Sequence, residues 1–231
     1  MRPRQETYLY DLLVSTIFTE GLDGDMNLWA LGFSALWVRG TDIATLAEKF
    51  SLDPESRAPC CLSEILDHNI DDESVWVAEV GEWFCVVPGL YDDRSLWSFS
   101  TDGGQAVSLI LNINHTERFT YARDGRVVVS FDPLWPDERS GEDPHALDHL
   151  MKGLRFQFND PGDPATPGNP EDLVEEDESI SSTLTLIGRL TETDIATDWF
   201  EAPHSRFRPV SPPSDGSPAS PDPFDKKGWD G

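Results

Sequence analysis

The stretch FTYARDGRVVVSFDP, residues 119–133, decides how this chain folds. Phe119 and Tyr121 alternate with other residues before Asp124-Gly125, and Val127, Val129 and Phe131 alternate after it. A period of two broken by turn residues is the mark of a β-hairpin. Its register depends on loop length, because a slip of one residue carries every side chain to the opposite face. A two-residue Asp124-Gly125 turn sets Tyr121 against Val128 and Phe119 against Ser130, scattering the apolar residues over both faces. A three-residue Arg123-Asp124-Gly125 loop sets Tyr121 against Val127 and Phe119 against Val129. It also puts Gly125 where a bulged type I turn needs positive φ. The expectation is the three-residue loop, with Arg118, Thr120, Val128, Arg126 and Ser130 on the face toward water.

Neighbouring segments extend the pattern. Val107, Leu109, Leu111 and Ile113 alternate on a strand entered through Asp102-Gly103-Gly104. SVWVAEVGEWFCVVPG, residues 74–89, reads as two strands around a Gly81-Glu82 turn, with glycine first as a type II′ turn requires. Both faces of these strands are apolar, which places them in the centre of a sheet covered on two sides or curled within a small barrel-like arrangement. A strand over Phe33–Val38 precedes a helix capped by Thr41 and carrying Ile43, Leu46, Ala47 and Phe50 on one side. Asp92–Ser100 is a short helical or irregular crossover. After Pro133 a loop containing Asp137 and Glu138 leads to a helix with Asp143 as N-cap, Pro144 in its first turn and Gly153 past its end. Leu147, Leu150, Met151 and Leu154 form its buried stripe. The fold class is α+β: a single domain with a mainly antiparallel sheet flanked by helices, all on one side of it, plus a disordered C-terminal tail.

Proline and charge set the boundaries. The main α+β body spans 1–158, beginning with an amphipathic N-terminal helix. Residues 159–178, NDPGDPATPGNPEDLVEEDE, combine prolines with an acidic run and read as an insertion or linker. Residues 179–201 return to the body through a short helix with Leu184, Ile187 and Leu190 on one side. Residues 202–231 are proline-rich and expected to be an extended, disordered tail.

The chain has 231 residues, with 43 acidic and 17 basic residues and a formal net charge of -26. That excess repels phosphate backbones and anionic membranes, so neither nucleic acid nor membrane is an expected partner. No apolar run approaches the length of a membrane span. Cys60 and Cys61 are adjacent and Cys85 stands alone, a spacing that suits neither a metal site nor a disulfide framework. A reducing cytoplasm is the expected location.

Candidate chemistry gathers at one corner. Asn112, Asn114 and His115 cluster at the reversal before Phe119, and Asp132 ends the hairpin. Asparagine and histidine serve turns well, which is the simpler reading. A polar pocket of Asn112, Asn114, His115 and Asp132, with His115 as base, is the catalytic alternative. Arg118, Arg126, Trp135, Phe224 and Trp229 are candidate interaction residues. His145 and His149 lie four apart on the expected helix, but HALDH lacks the glutamate of a metallopeptidase motif and no metal is assigned. No nucleotide or hydrolase signature occurs, so no catalytic residue and no cofactor is assigned.

The blocks Leu36-Trp37-Val38-Arg39-Gly40, Asn112-Ile113-Asn114, Phe119-Thr120-Tyr121, Asp124-Gly125-Arg126 and Asp143-Pro144, in this order, resemble a family of uncharacterised actinobacterial proteins. The resemblance covers most of residues 30–155. It implies an intracellular bacterial protein and supplies no catalytic residue, cofactor or partner. The expected function is that of a non-enzymatic protein-binding or regulatory protein with a protein partner, a basic one on grounds of charge. A small enzyme using the Asn114, His115 and Asp132 pocket, and an acidic immunity-like protein neutralising a basic partner, are the alternatives.

Overall fold

A computed structural model describes residues 32–62, 64–65, 73–89, 93–112, 118–156, 174–193 and 202–210. The expected N-terminal helix, the linker up to residue 173 and residues 211–231 lie outside them.

In chain order the elements are β1 (Gly32–Arg39), α1 (Ile43–Lys49), β2 (Leu52–Cys60), β3 (Val75–Val80), β4 (Trp83–Val87), α2 (Asp93–Ser100), β5 (Gln105–Asn112), β6 (Arg118–Arg123), β7 (Arg126–Asp132), β8 (Trp135–Ser140), α3 (Asp148–Met151), α4 (Glu176–Thr191) and β9 (His204–Pro209). The nine strands form one sheet in the order β2-β9-β3-β4-β1-β5-β6-β7-β8. Every pairing in it is antiparallel.

Both faces of the sheet are packed, which is why β1, β3 and β4 are apolar at successive positions. On the first face lie Trp37, Trp76, Cys85, Leu109, Phe119 and Phe131, beneath Leu147 and Met151 and beneath Leu184 and Ile187 of α4. On the second lie Val38, Val77, Val86, Ala106 and Phe207, beneath Leu46 and Ala47 of α1 and Leu96 and Phe99 of α2. Helices therefore cover two sides where the sequence suggested one. Each had one apolar stripe, but stripe spacing carries no information about which face of the sheet receives it.

The β3–β4 hairpin has the expected two-residue turn, with Val80 opposite Trp83 and Gly81 at φ 59°. The β6–β7 hairpin does not have the expected loop. Arg123 pairs with Arg126, so Asp124-Gly125 is a two-residue turn, with φ 53° and 73° as a type I′ turn requires. The register then shifts: Ala122 faces Val127, while Tyr121 faces Val129 and Phe119 faces Phe131. Val128 is the extra residue of a β-bulge, and it packs into the first-face core with Val129. The bulge thus keeps the apolar set together behind the tighter turn.

Three further expectations change. The N-cap of α1 is Asp42, whose Oδ1 accepts from the Thr45 N–H at 2.8 Å; Thr41 precedes it. The stretch with Asp137 and Glu138 is strand β8, although with Pro136 in it and few pairings its pattern reads as loop. Most consequentially, residues 204–209, assigned to the tail, form β9 inside the sheet. His204 pairs with Cys60 and Pro209 with Leu52 on one side, and Phe207 with Val75 on the other. Strand β2 was not recognised either; it is an edge strand with Pro54 and Pro59 and a register shift between Asp53 and Ala58, features that edges tolerate and central strands do not.

Helix α4 runs over 16 residues from Glu176, so the last acids of the expected linker sit in its first turn. The stripe expected over residues 147–154 is seen, although the regular helix is confined to Asp148–Met151.

Candidate interaction surface

Asn112 ends β5, Asp132 ends β7, and Trp135 opens β8 opposite Asp132. Because Phe119 pairs with Phe131, Arg118 and Asp132 are the next positions outward on neighbouring strands. Four of the sequence candidates therefore share one end of the sheet, brought there by strand order. Asn114, His115, Phe224 and Trp229 lie outside the described residues. Arg126 sits at the opposite end of its hairpin, bonded to Glu142 at 3.0 Å.

At the shared end Asp132 is engaged structurally. Its Oδ1 accepts from the Leu134 N–H at 2.8 Å and shapes the turn into β8. The same strand positions carry a row of hydroxyls inward along the second face: Ser108 pairs with Thr120, and Thr120 with Ser130. Thr120 was expected to meet water, but it is buried, 2.9 Å from the Ser130 hydroxyl, which lies 3.1 Å from the Phe119 carbonyl as donor. A buried hydroxyl needs such partners, and these satisfy it.

A second group of ionisable residues, not anticipated from sequence, lies where β2 meets β9. The Trp76 Nε1–H donates to the Cys60 carbonyl at 3.2 Å, and the His204 ring stands edge-on to the Trp76 ring at 5.2 Å. The Glu64 carboxylate accepts from the Cys61 N–H at 2.6 Å, which holds its pKa below the usual carboxylate range. Burial first, and then the Glu64 charge, push the Cys60 thiol up to about 11. Cys60 is therefore a thiol at neutral pH and a poor nucleophile. Its proximity to His204 follows from the β2–β9 pairing and had no local signal. No group of three His, Cys, Asp or Glu side chains placed to hold a metal occurs among the described residues. His145 and His149 are both exposed, and the His145 ring contacts Asp148 at 3.0 Å.

Charge is distributed unevenly. Arg39, Arg57, Arg123, Arg126, Arg139 and Arg155 each lie within ion-pair distance of a carboxylate: Glu82, Glu79, Asp124, Glu142, Asp148 and Glu178 respectively. Among the described residues these six cations are thus paired with neighbouring acids, while Glu48, Asp102, Asp137 and Glu138 stand exposed.

Both sheet edges are poor templates for another strand. β2 has its two prolines and its irregular register. On β8, the Arg139 Nε–H donates to the Pro136 carbonyl at 2.6 Å, and Asp137 and Glu138 stand exposed. Proline, charge and irregularity are the devices that keep edges from pairing. A helix offers the aromatic group that the sequence reading missed. Trp97 of α2 is 46% exposed, whereas Leu96 and Phe99 on the same helix are buried. Helical spacing from Leu96 and Phe99 puts residue 97 off the buried stripe, so this signal was present in the sequence.

These features define a class: an antiparallel sheet between two helical layers, with irregular, proline-bearing edge strands. The chain belongs to the family of unknown function DUF6461, whose model matches residues 59–210. The match begins in β2 and ends just after β9, so the strand hidden in the proline-rich end lies within the family's span. No curated protein and no solved structure matches the chain. Among the described residues no helix is long and apolar enough to cross a membrane.

Proposed function

We propose that this protein is a non-enzymatic binding or regulatory protein whose partner is a basic protein. The observation that carries this reading is the pairing of arginines with neighbouring carboxylates on a chain of net charge -26, with Glu48, Asp102, Asp137 and Glu138 exposed beside those pairs. Such a surface steers a cationic partner into encounter and disfavours anionic ones, nucleic acid among them. The resemblance of its sequence blocks to those of uncharacterised actinobacterial proteins supports a bacterial, cytoplasmic setting.

Affinity capture from native cells with mild crosslinking, followed by rebinding of the purified candidate, tests the proposal. The expected result is a basic protein whose affinity falls as salt is raised, since the Debye length shortens to about 8 Å at physiological ionic strength. Recovery of no partner after crosslinking, or of one whose binding ignores salt, would sink it.

A further inference from the structure

We infer that Trp97 is the contact centre of this surface and that it receives an arginine or lysine side chain of the basic partner. The inference rests on the binding role proposed above and gives it a location. Trp97 and Val210 are the large apolar residues that stand exposed among the described residues, and only Trp97 offers an aromatic face. It projects from a helix held firmly on its other side, where Leu96 and Phe99 enter the second-face core and the Ser100 hydroxyl donates to the Trp97 carbonyl at 3.1 Å. An indole on a rigid support costs little entropy to dock, which is why tryptophan recurs as an interface anchor.

The occupant follows from the electrostatics of this end of α2. The last turn of the helix contains no basic residue of its own, so its negative carbonyl end draws a cation from another segment of the chain, Lys49. Asp102 and Asp124 are exposed on the two turns that meet there, joined by the Gly125 N–H to the Ser100 carbonyl at 3.0 Å and the Asp124 N–H to the Gly104 carbonyl at 3.4 Å. Arg123 offsets Asp124 in part, at 3.8 Å.

The fold already uses this chemistry once at the same place. The Lys49 ammonium donates to the Ser98 carbonyl at 2.6 Å and lies 4.9 Å from the centre of the Phe99 ring. A cation held by an aromatic face and a helix-end carbonyl is thus an arrangement this end of α2 accepts. Trp97 presents the stronger cation–π face to solvent.

The test titrates the full-length protein with deca-arginine at low salt by calorimetry, using deca-glutamine as the uncharged control, and repeats it with Trp97→Ala and Trp97→Phe. Circular dichroism checks that both exposed-site variants fold. The expected result is binding of deca-arginine alone, weakened roughly threefold to thirtyfold by Trp97→Ala, as one cation–π contact implies, and less by Trp97→Phe. Equal affinity for wild type and Trp97→Ala would overturn the assignment of Trp97 and leave the acidic-surface reading standing. Absence of any deca-arginine binding by the wild type would overturn both.

Discussion

Tyr121 pairs with Val129 across the β6–β7 hairpin, two residues beyond the position that pairs with Ala122, because Val128 is looped into the strand as a bulge. The carbonyls that the bulge turns out of the ladder are taken up nearby. The Glu142 N–H donates to the Val127 carbonyl at 3.1 Å, and the Asp143 N–H to the Val128 carbonyl at 3.0 Å. Gly141 makes that approach possible: it has φ 121°, and a side chain there would overlap the Val128 carbonyl. Tyr121 is buried, which raises its hydroxyl pKa, and the hydroxyl donates to Gln105 Oε1 at 2.9 Å.

Gly141→Ala is expected to destabilise the fold by about 3 kcal/mol, combining backbone strain with the clash. Urea denaturation measures it. An unchanged midpoint would show that the 141–143 loop can leave the bulge at no cost.

Phe207 brings β9 into the second-face core. Phe207→Ala should cost about 3–5 kcal/mol, whereas Arg208→Ala, at an exposed position, should shift stability by less than about 0.5 kcal/mol. A chain shortened to residues 1–201 should lose cooperative thermal unfolding, since β2 would lose the strand that joins it to the sheet and β3 one of its two partners. Cooperative melting of that chain near the wild-type temperature would show β9 to be dispensable.

The Arg139 guanidinium, hydrogen-bonded to Asp148, holds the Asp148 carboxyl below the usual aspartate range. A carboxyl with a lowered folded pKa binds fewer protons folded than unfolded. Its contribution is therefore present above the unfolded value of about 3.9 and fades as pH falls through the folded value. Asp148→Asn should lower the melting temperature slightly at pH 7, slightly because Asp148 is half exposed and the pair is screened. The difference from wild type should close under strongly acid conditions. A gap that persists there would mean the loss is one of packing.

Cys60 and Cys85 are buried with their thiol pKa values raised, and Cys61 is partly exposed. Iodoacetamide at pH 8 should therefore modify Cys61 in the native protein and all three cysteines in denaturant, as intact mass and peptide mapping will show. Native modification of Cys85 at a rate matching Cys61 would contradict its burial.

Local pattern carried much of the fold. The Gly81-Glu82 hairpin, the strands around Leu36 and Leu109 and the Leu147–Leu154 stripe were legible because periodicity and turn chemistry act within a few residues. The β6–β7 register was not. Its choice between loops was settled by the Gly125 N–H reaching the Ser100 carbonyl at the end of α2, by the Asp124 N–H reaching the Gly104 carbonyl in the turn after it, and by the 141–143 loop receiving the bulge, contacts made far along the chain. β9 was obscured for a related reason: a short strand flanked by prolines looks like tail until β2 and β3 offer their edges.

The candidate site divides along the same line. Asn112, Arg118, Asp132 and Trp135 stood out by residue type, but only strand order brings them to one end of the sheet. Trp97 could have been placed outward from helical spacing alone. Amino-acid order determined the alternation, the acidic excess and the apolar character of both faces of β3 and β4, since these depend on backbone sterics and on which side chains leave water. Strand order, the bulge, the face each helix covers and the meeting of Cys60 with His204 required the folded chain, because each depends on free energy shared between segments distant in sequence.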